Sequence, residues 1–168
     1  MRFRLATAIT LIIAGCGGSR DLEAEKQAAT ALQNSGAKLY GGSAGIKRVD
    51  LAGKTPSSDD FANIARLSQL ETLILHGSKF DEADLAQLSA LKQLKQLSLK
   101  QTGVTDAGLA HVGSLTTLQQ LDLEGTKVTD AGLAQLAGLK DLEKLYIDGS
   151  GATSAGVQEL KKSLPRLK

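Results

Sequence analysis

A single cysteine excludes an internal disulfide, so no covalent staple holds this chain together. Tryptophan is absent, and three phenylalanines and two tyrosines supply all the aromatic rings, so the core has to be aliphatic. Only two prolines stand against 18 glycines, which rests the turns on positive backbone angles and close packing rather than on ring rigidity. No long apolar stretch is present: the run Leu5 to Ala14 falls short of the roughly 20 residues that cross a bilayer. A length of 168 residues accommodates one domain.

A strong excess of one charge is also missing. The chain carries 20 basic and 18 acidic residues, and two of the basic ones, Arg2 and Arg4, lie in the first 16 positions, which hold no acid. The remainder of the chain is formally neutral, and a nucleic-acid partner, which calls for a basic surplus, is set aside.

Those first residues read as an export signal: Arg2 and Arg4, the apolar run, then the small pair Ala14 and Gly15. The segment Ile13-Ala14-Gly15-Cys16 resembles the bacterial lipobox, whose cysteine is acylated and becomes the new terminus after cleavage. That resemblance implies a signal peptide over 1–15, a lipidated Cys16 with a tether over 16–20, and a lipid-anchored protein (palmitate or a similar chain) in a bacterial cell envelope. Gly17, in the place where aspartate retains such proteins at the inner membrane, favours the outer membrane in a Gram-negative host. Two or more acyl chains, each buried methylene contributing about 0.8 kcal/mol, hold such a terminus firmly.

The rest of the chain repeats. Leu67, Leu91, Leu115 and Leu139 recur every 24 residues, and Leu70, Leu94, Leu118 and Leu142 keep the interval. Within a unit the pattern is L-x-x-L-x-L-x-x-T-x-V, as in Leu94, Leu97, Leu99, Thr102 and Val104, and again in Leu118, Leu121, Leu123, Thr126 and Val128. This resembles the leucine-rich repeat family, in the variants with threonine where asparagine or cysteine is usual. The resemblance implies an α/β solenoid with parallel strands on a concave face and short helices on the convex one. It covers 43–168 in five repeats (43–66, 67–90, 91–114, 115–138 and 139–163), ending in Leu164-Pro165-Arg166-Leu167, which opens like a truncated sixth.

The residues support that geometry independently. In Leu97-Ser98-Leu99 the alternation is that of a half-buried strand, whereas Leu85 and Leu88, Leu109 and Val112, and Leu133 and Leu136 are three apart, as on one helical face. Ser57, Asp81, Thr105, Thr129 and Thr153 form a column of N-caps, with Asp106 and Asp130 next to the positive helix end. Ser78, Thr102, Thr126 and Ser150 occupy the ladder position, where hydroxyls are expected to bond neighbouring turns. Gly53, Gly77, Gly125 and Gly149 precede that column and mark a tight bend, interrupted by Gln101. One unit buries about seven aliphatic side chains at about 1.5 to 3 kcal/mol each, less than the backbone entropy of 24 residues at about 1 to 2 kcal/mol per residue, so units are stable only when stacked.

Ahead of the repeats, residues 21–42 read as a cap. Asp21 to Asn34 predicts a helix with Leu22, Ala29 and Leu32 on one face and Gly36 at its end. Ala37 to Tyr40 predicts a strand, turned back by Gly41 to Gly45 into Ile46 to Leu51.

The side chains between the leucines point away from the core. They pair as Asp50 and Ala52, Ile74 and His76, Ser98 and Lys100, Asp122 and Glu124, Tyr146 and Asp148. Ile74, His76 and Tyr146 offer apolar and aromatic contact, while Lys100, Asp122, Glu124 and Asp148 offer charge, a mixture suited to a protein partner. No catalytic set is expected. Gly53-Lys54-Thr55 lacks the earlier glycine of a phosphate loop, with Arg48 in its place, and Asp148 to Glu159 lacks calcium-loop ligands at Ala152 and Thr153.

Three functions remain open from the residues: a membrane-anchored protein-interaction module; a structural, envelope-organising repeat protein without one specific partner; and an enzyme working through Asp122, Glu124 and Asp148. The first is the expectation. No cofactor, metal or small-molecule substrate is foreseen.

Overall fold

A computed structural model describes residues 19–42 and 45–168. The expected signal peptide and Cys16 lie outside the described residues, as do Ser43 and Ala44.

Helix α1 (Ser19–Asn34) leads into β1 (Lys38–Gly42), which pairs antiparallel with β2 (Gly45–Asp50). Four further strands add in parallel and in chain order: β3 (Thr72–Ile74), β4 (Gln96–Ser98), β5 (Gln120–Asp122) and β6 (Lys144–Tyr146). The register is the sequence period made visible, since Leu73, Leu97, Leu121 and Leu145 stand side by side across β3 to β6. Between β2 and β6 the chain returns on the other side through α2 (Ser58–Ala65), a 3-10 helix (Glu82–Ala90), α3 (Asp106–Val112) and α4 (Asp130–Ala134) with a short 3-10 extension, and α5 (Ser154–Ser163) follows β6. Parallel strands with a crossover in each unit stack into one solenoid with a continuous aliphatic core, running from Ala28 and Leu32 in α1 to Leu164 and Leu167.

All five predicted N-caps receive an amide of the first turn: Ser57 from Asp60, Asp81 from Ala83, Thr105 from Ala107, Thr129 from Ala131 and Thr153 from Gly156. The bend glycines Gly53, Gly77, Gly125 and Gly149 all have φ between 64° and 70°, and Gln101 is held in the same left-handed region at 53°.

The structure departs from the sequence reading at several points. The second unit crosses over in 3-10 rather than α form; Leu85 and Leu88, three apart, fall in line on such a helix and are both buried. Helix α1 buries Ala28 and Leu32, one turn apart, while Leu22 and Ala29 stay at the flank. The hairpin keeps Gly41 and Gly42 in the strand, paired with Ile46 and Gly45, after a register shift at Tyr40. A Cβ on Gly41 would lie 2.3 Å from the Gly45 carbonyl oxygen, so the glycine admits this close approach.

The hydroxyl column also differs. Only Ser78 reaches a neighbouring unit, its Oγ donating to Leu51 O at 2.7 Å. Thr102, Thr126 and Ser150 donate to the carbonyls of Leu99, Leu123 and Ile147 in their own turns at 2.6 to 2.7 Å. A hydroxyl has one hydrogen on a short arm, and the carbonyl three residues back is the nearest acceptor, whereas an amide carries two donors and extends further.

The cap is pinned by polar contacts as well as packing. Glu25 Oε1 accepts from Ser68 N at 3.0 Å and Ser68 Oγ at 2.6 Å, and Ser35 Oγ donates to Asp60 at 2.5 Å.

Candidate functional site

The strands place two columns of the sequence-predicted residues on the face opposite the helices. The first runs Asp50, Ile74, Ser98, Asp122, Tyr146, adjacent members being direct partners in the sheet. At about 4.8 Å per strand, Ile74 and Tyr146 stand roughly 14 Å apart with Ser98 and Asp122 between them. The two apolar members of the sequence-predicted patch are therefore not brought together. Tyr146, at the end strand, is 39% exposed, whereas Ile74 is half-buried.

The second column, at the strand exits, holds His76, Lys100, Glu124 and Asp148. Here the structure does bring residues together: Lys100 Nζ pairs with the Glu124 carboxylate. Glu124 raises the pKa of Lys100 through that hydrogen bond, burial works against it, and Asp122 and Asp148 add to the attraction. The carboxylates are thus not a free acidic cluster. Asp122 Oδ1 accepts from the Glu124 amide at 3.0 Å, fixing the strand exit, as Asp50 Oδ1 does for the Ala52 amide at 3.0 Å.

A charged ladder beside the strand starts was not foreseen from the sequence. Glu71 accepts from Lys47 at 2.7 Å and from Lys95 at 2.8 Å, bridging three successive strands. The bond from Lys47, then that from Lys95, draws the Glu71 carboxyl down to about 2. The signal was present, since Lys47, Glu71 and Lys95 are 24 apart and alternate in sign.

The two histidines fall on different sides, His76 on the strand exits and His111 in α3. Among the described residues, no three histidine, cysteine, aspartate or glutamate side chains converge as metal ligands, and no helix is long and apolar enough to cross a membrane. A shallow depression of about 470 Å³, lined by Asp130, Ala134, Gly156 and Leu160 among others, lies on the helical side, away from both columns.

In-register parallel strands backed by short crossovers, repeated with leucines as the dominant inward residues, define a leucine-rich-repeat fold. No protein-family model matches the chain, and neither does any curated protein. Among solved structures, 128 chains match. Internalin C2 from Listeria monocytogenes superposes with a TM-score of 0.50 at 19% identity, over 73% of this chain and 59% of that one. The leucine-rich-repeat ectodomain of the receptor kinase SOBIR1 from Arabidopsis thaliana gives 0.50 at 15% identity, over 77% of this chain and 96% of that one. A leucine-rich-repeat protein from Leptospira interrogans is 23% identical with a TM-score of 0.49, and the aligned part spans 64% of this chain but 26% of that protein.

Proposed function

We propose that this chain is a protein-interaction module, held at a bacterial membrane through a lipid on Cys16, whose concave strand face receives a protein partner. The observation that supports the reading most is the strand register: it turns a 24-residue period into straight outward columns of His76, Lys100, Glu124 and Asp148 and of Ile74, Ser98, Asp122 and Tyr146, set on a continuous core. Rigid, laterally spaced charge of both signs suits recognition of another protein's surface, where complementarity sets specificity. On this face Lys100 and Glu124 are paired and Asp122 is committed to the Glu124 amide, which supports reading these charges as a recognition surface.

The partner test uses the full chain in its own envelope. Photo-crosslinking from the concave face captures one stoichiometric protein, and Lys100→Glu or Asp122→Lys abolishes that capture while Lys140→Glu, on the helical side, leaves it intact. Equal capture by all three variants overturns the assignment of the face. Anchoring is tested separately: Cys16→Ser releases the chain from membranes and ends incorporation of labelled palmitate, and unchanged membrane association overturns the anchor.

A further inference from the structure

Each 24-residue unit divides at mid-strand and mid-helix into two halves, and charge does not divide evenly between them. The halves that run from a strand through its exit into the first turn of the next helix (49–60, 73–84, 97–108, 121–132 and 145–156) hold eleven aspartates and glutamates against four lysines. The halves that run from a helix back toward the strand starts (61–72, 85–96, 109–120, 133–144 and 157–168) hold four acids against nine lysines and arginines. Because the strands pair in register, these halves stack into two opposite rims of the solenoid, one acidic and one basic. Helix dipoles favour the acids, and Asp60, Glu82, Asp106 and Asp130 are bonded to Ser57, Thr105, Thr129 and Thr153 within the fold. The dipoles do not place most of the bases. The last turns of α2, the 3-10 helix and α4 hold none, and Lys92, Lys95 and Arg166 stand in the segments beyond the helices.

On the basic rim three of the four acids are already matched: Glu71 lies between Lys47 and Lys95, Asp141 accepts from Arg166 at 2.6 Å, and Glu159 is paired with Lys162. Arg66, Lys92, Lys161 and Lys168 are exposed, with no carboxylate in ion-pair reach among the described residues. Helix α1 starts at this rim. Glu25, early in α1, bonds Ser68 in the loop before β3, whereas Ser35, just past its end, bonds Asp60 at the start of α2. Cys16 precedes the first residue of α1, Ser19, by three positions, a reach of about 10 Å at most.

We infer that the basic rim rests on an anionic phospholipid surface, with the strands roughly along the membrane normal, the acidic rim turned away and the concave face open at the side. The inference rests on the Cys16 anchor proposed above and adds the pose, which a tether alone does not fix. Each lysine or arginine beside an anionic leaflet favours this pose by about fivefold, and high salt removes the effect.

The test uses the acylated full chain bound to vesicles, with a fluorophore on a cysteine introduced either by Thr116→Cys, in a basic-rim loop, or by Ala107→Cys, in the first turn of α3; both sites are exposed. Phosphatidylglycerol in the phosphatidylcholine vesicles is expected to shield the Thr116→Cys label from acrylamide and leave the Ala107→Cys label quenched as before. High salt, or Arg66→Glu with Lys92→Glu and Lys161→Glu, should restore quenching to its level on pure phosphatidylcholine while the chain still floats with the vesicles. Equal quenching on neutral and anionic vesicles, or equal shielding at both sites, overturns the pose and leaves the anchor standing. Failure to float with phosphatidylcholine vesicles overturns the anchor and the pose with it. A label exposed on anionic vesicles but shielded by heparin in solution overturns the membrane in favour of a polyanionic sugar.

Discussion

The carboxylate of Asp106, at the first position of α3, accepts hydrogen bonds from both the backbone amide and the hydroxyl of Thr129 in the next unit, at 2.8 and 2.7 Å. Asp130 holds Thr153 in the same way, at 2.7 and 2.8 Å, and Glu82 holds Thr105, at 2.9 Å from both the amide and the hydroxyl. Each N-cap threonine thus accepts an amide from its own helix and is itself clamped by the acid of the unit before. The repeated threonine-aspartate pair ties neighbouring units together on the helical side, where no sheet does so.

Removing one clamp should loosen the stack without touching the core. Asp106→Ala leaves the Thr129 amide and hydroxyl to water and is expected to cost about 1 kcal/mol, as the loss of one capping pattern does at a partly exposed site. Urea unfolding of the variant measures this. A change indistinguishable from zero, with Thr129→Ala also silent, would show that the clamp contributes no stability.

The same geometry explains a glycine. Gly132 lies inside α4, where alanine ordinarily stabilises by about 0.5 to 1 kcal/mol. Here an added Cβ would come 2.2 Å from Asp106 Oδ1 and 2.9 Å from its Cγ. Gly132→Ala should therefore destabilise, by about 1 to 3 kcal/mol as overpacking does, and the cost should largely vanish in an Asp106→Ala background. A double-mutant cycle reads the coupling directly; strictly additive effects would refute the contact. Gly156 stands in the same relation to Asp130, with 2.1 Å to Oδ1, and should behave alike.

Much of this fold was legible because its information is periodic. Leucines 24 apart specify which strands pair and in what register, and the caps at Ser57, Asp81, Thr105, Thr129 and Thr153 are local in sequence. The clamp was not legible, because Asp106 was read by its own helix dipole while its bonds run 23 residues ahead, off the repeat interval. The hydroxyl ladder was misread for the opposite reason: analogy with asparagine pointed to neighbouring turns, whereas Thr102 and Thr126 close their own. For the face, the columns followed from alternation and the 24-residue interval, which make Lys100 and Glu124 lateral neighbours and set Ile74 three strands from Tyr146, whereas the bond from the Glu124 amide to Asp122 was not legible in the pattern.

Gln101 breaks the column of bend glycines and is held at φ 53°. The left-handed conformation costs an L-residue about 1 to 2 kcal/mol, and glycine gives part of that back through the entropy of its unfolded chain. Gln101→Gly should stabilise by about 0.5 to 1 kcal/mol and raise the melting temperature by about 1 to 4 °C. Calorimetry decides it, and a lowered melting temperature would mean that the Gln101 side chain, which packs over Gly125, contributes more than the backbone loses.

Asp60 gives the fold a defined response to acid. It is buried, which pushes its carboxyl upward, but hydrogen bonds from Ser35 Oγ and from the Ser57 amide and hydroxyl outweigh burial and leave its pKa below the ordinary 3.8. A depressed folded-state value means that the unfolded chain takes up the proton first. The stabilisation is therefore fully present above 3.8 and is lost as pH falls through the folded-state value. Asp60→Asn, which cannot accept at both carboxylate oxygens, should lower stability near neutral pH by about 1 to 2 kcal/mol. Its deficit should shrink as the wild type is acidified, because protonated Asp60 resembles the amide. Unfolding free energies at neutral pH and at the most acidic pH that keeps the fold test this, and a deficit independent of pH would assign the role of Asp60 to packing rather than to its charge.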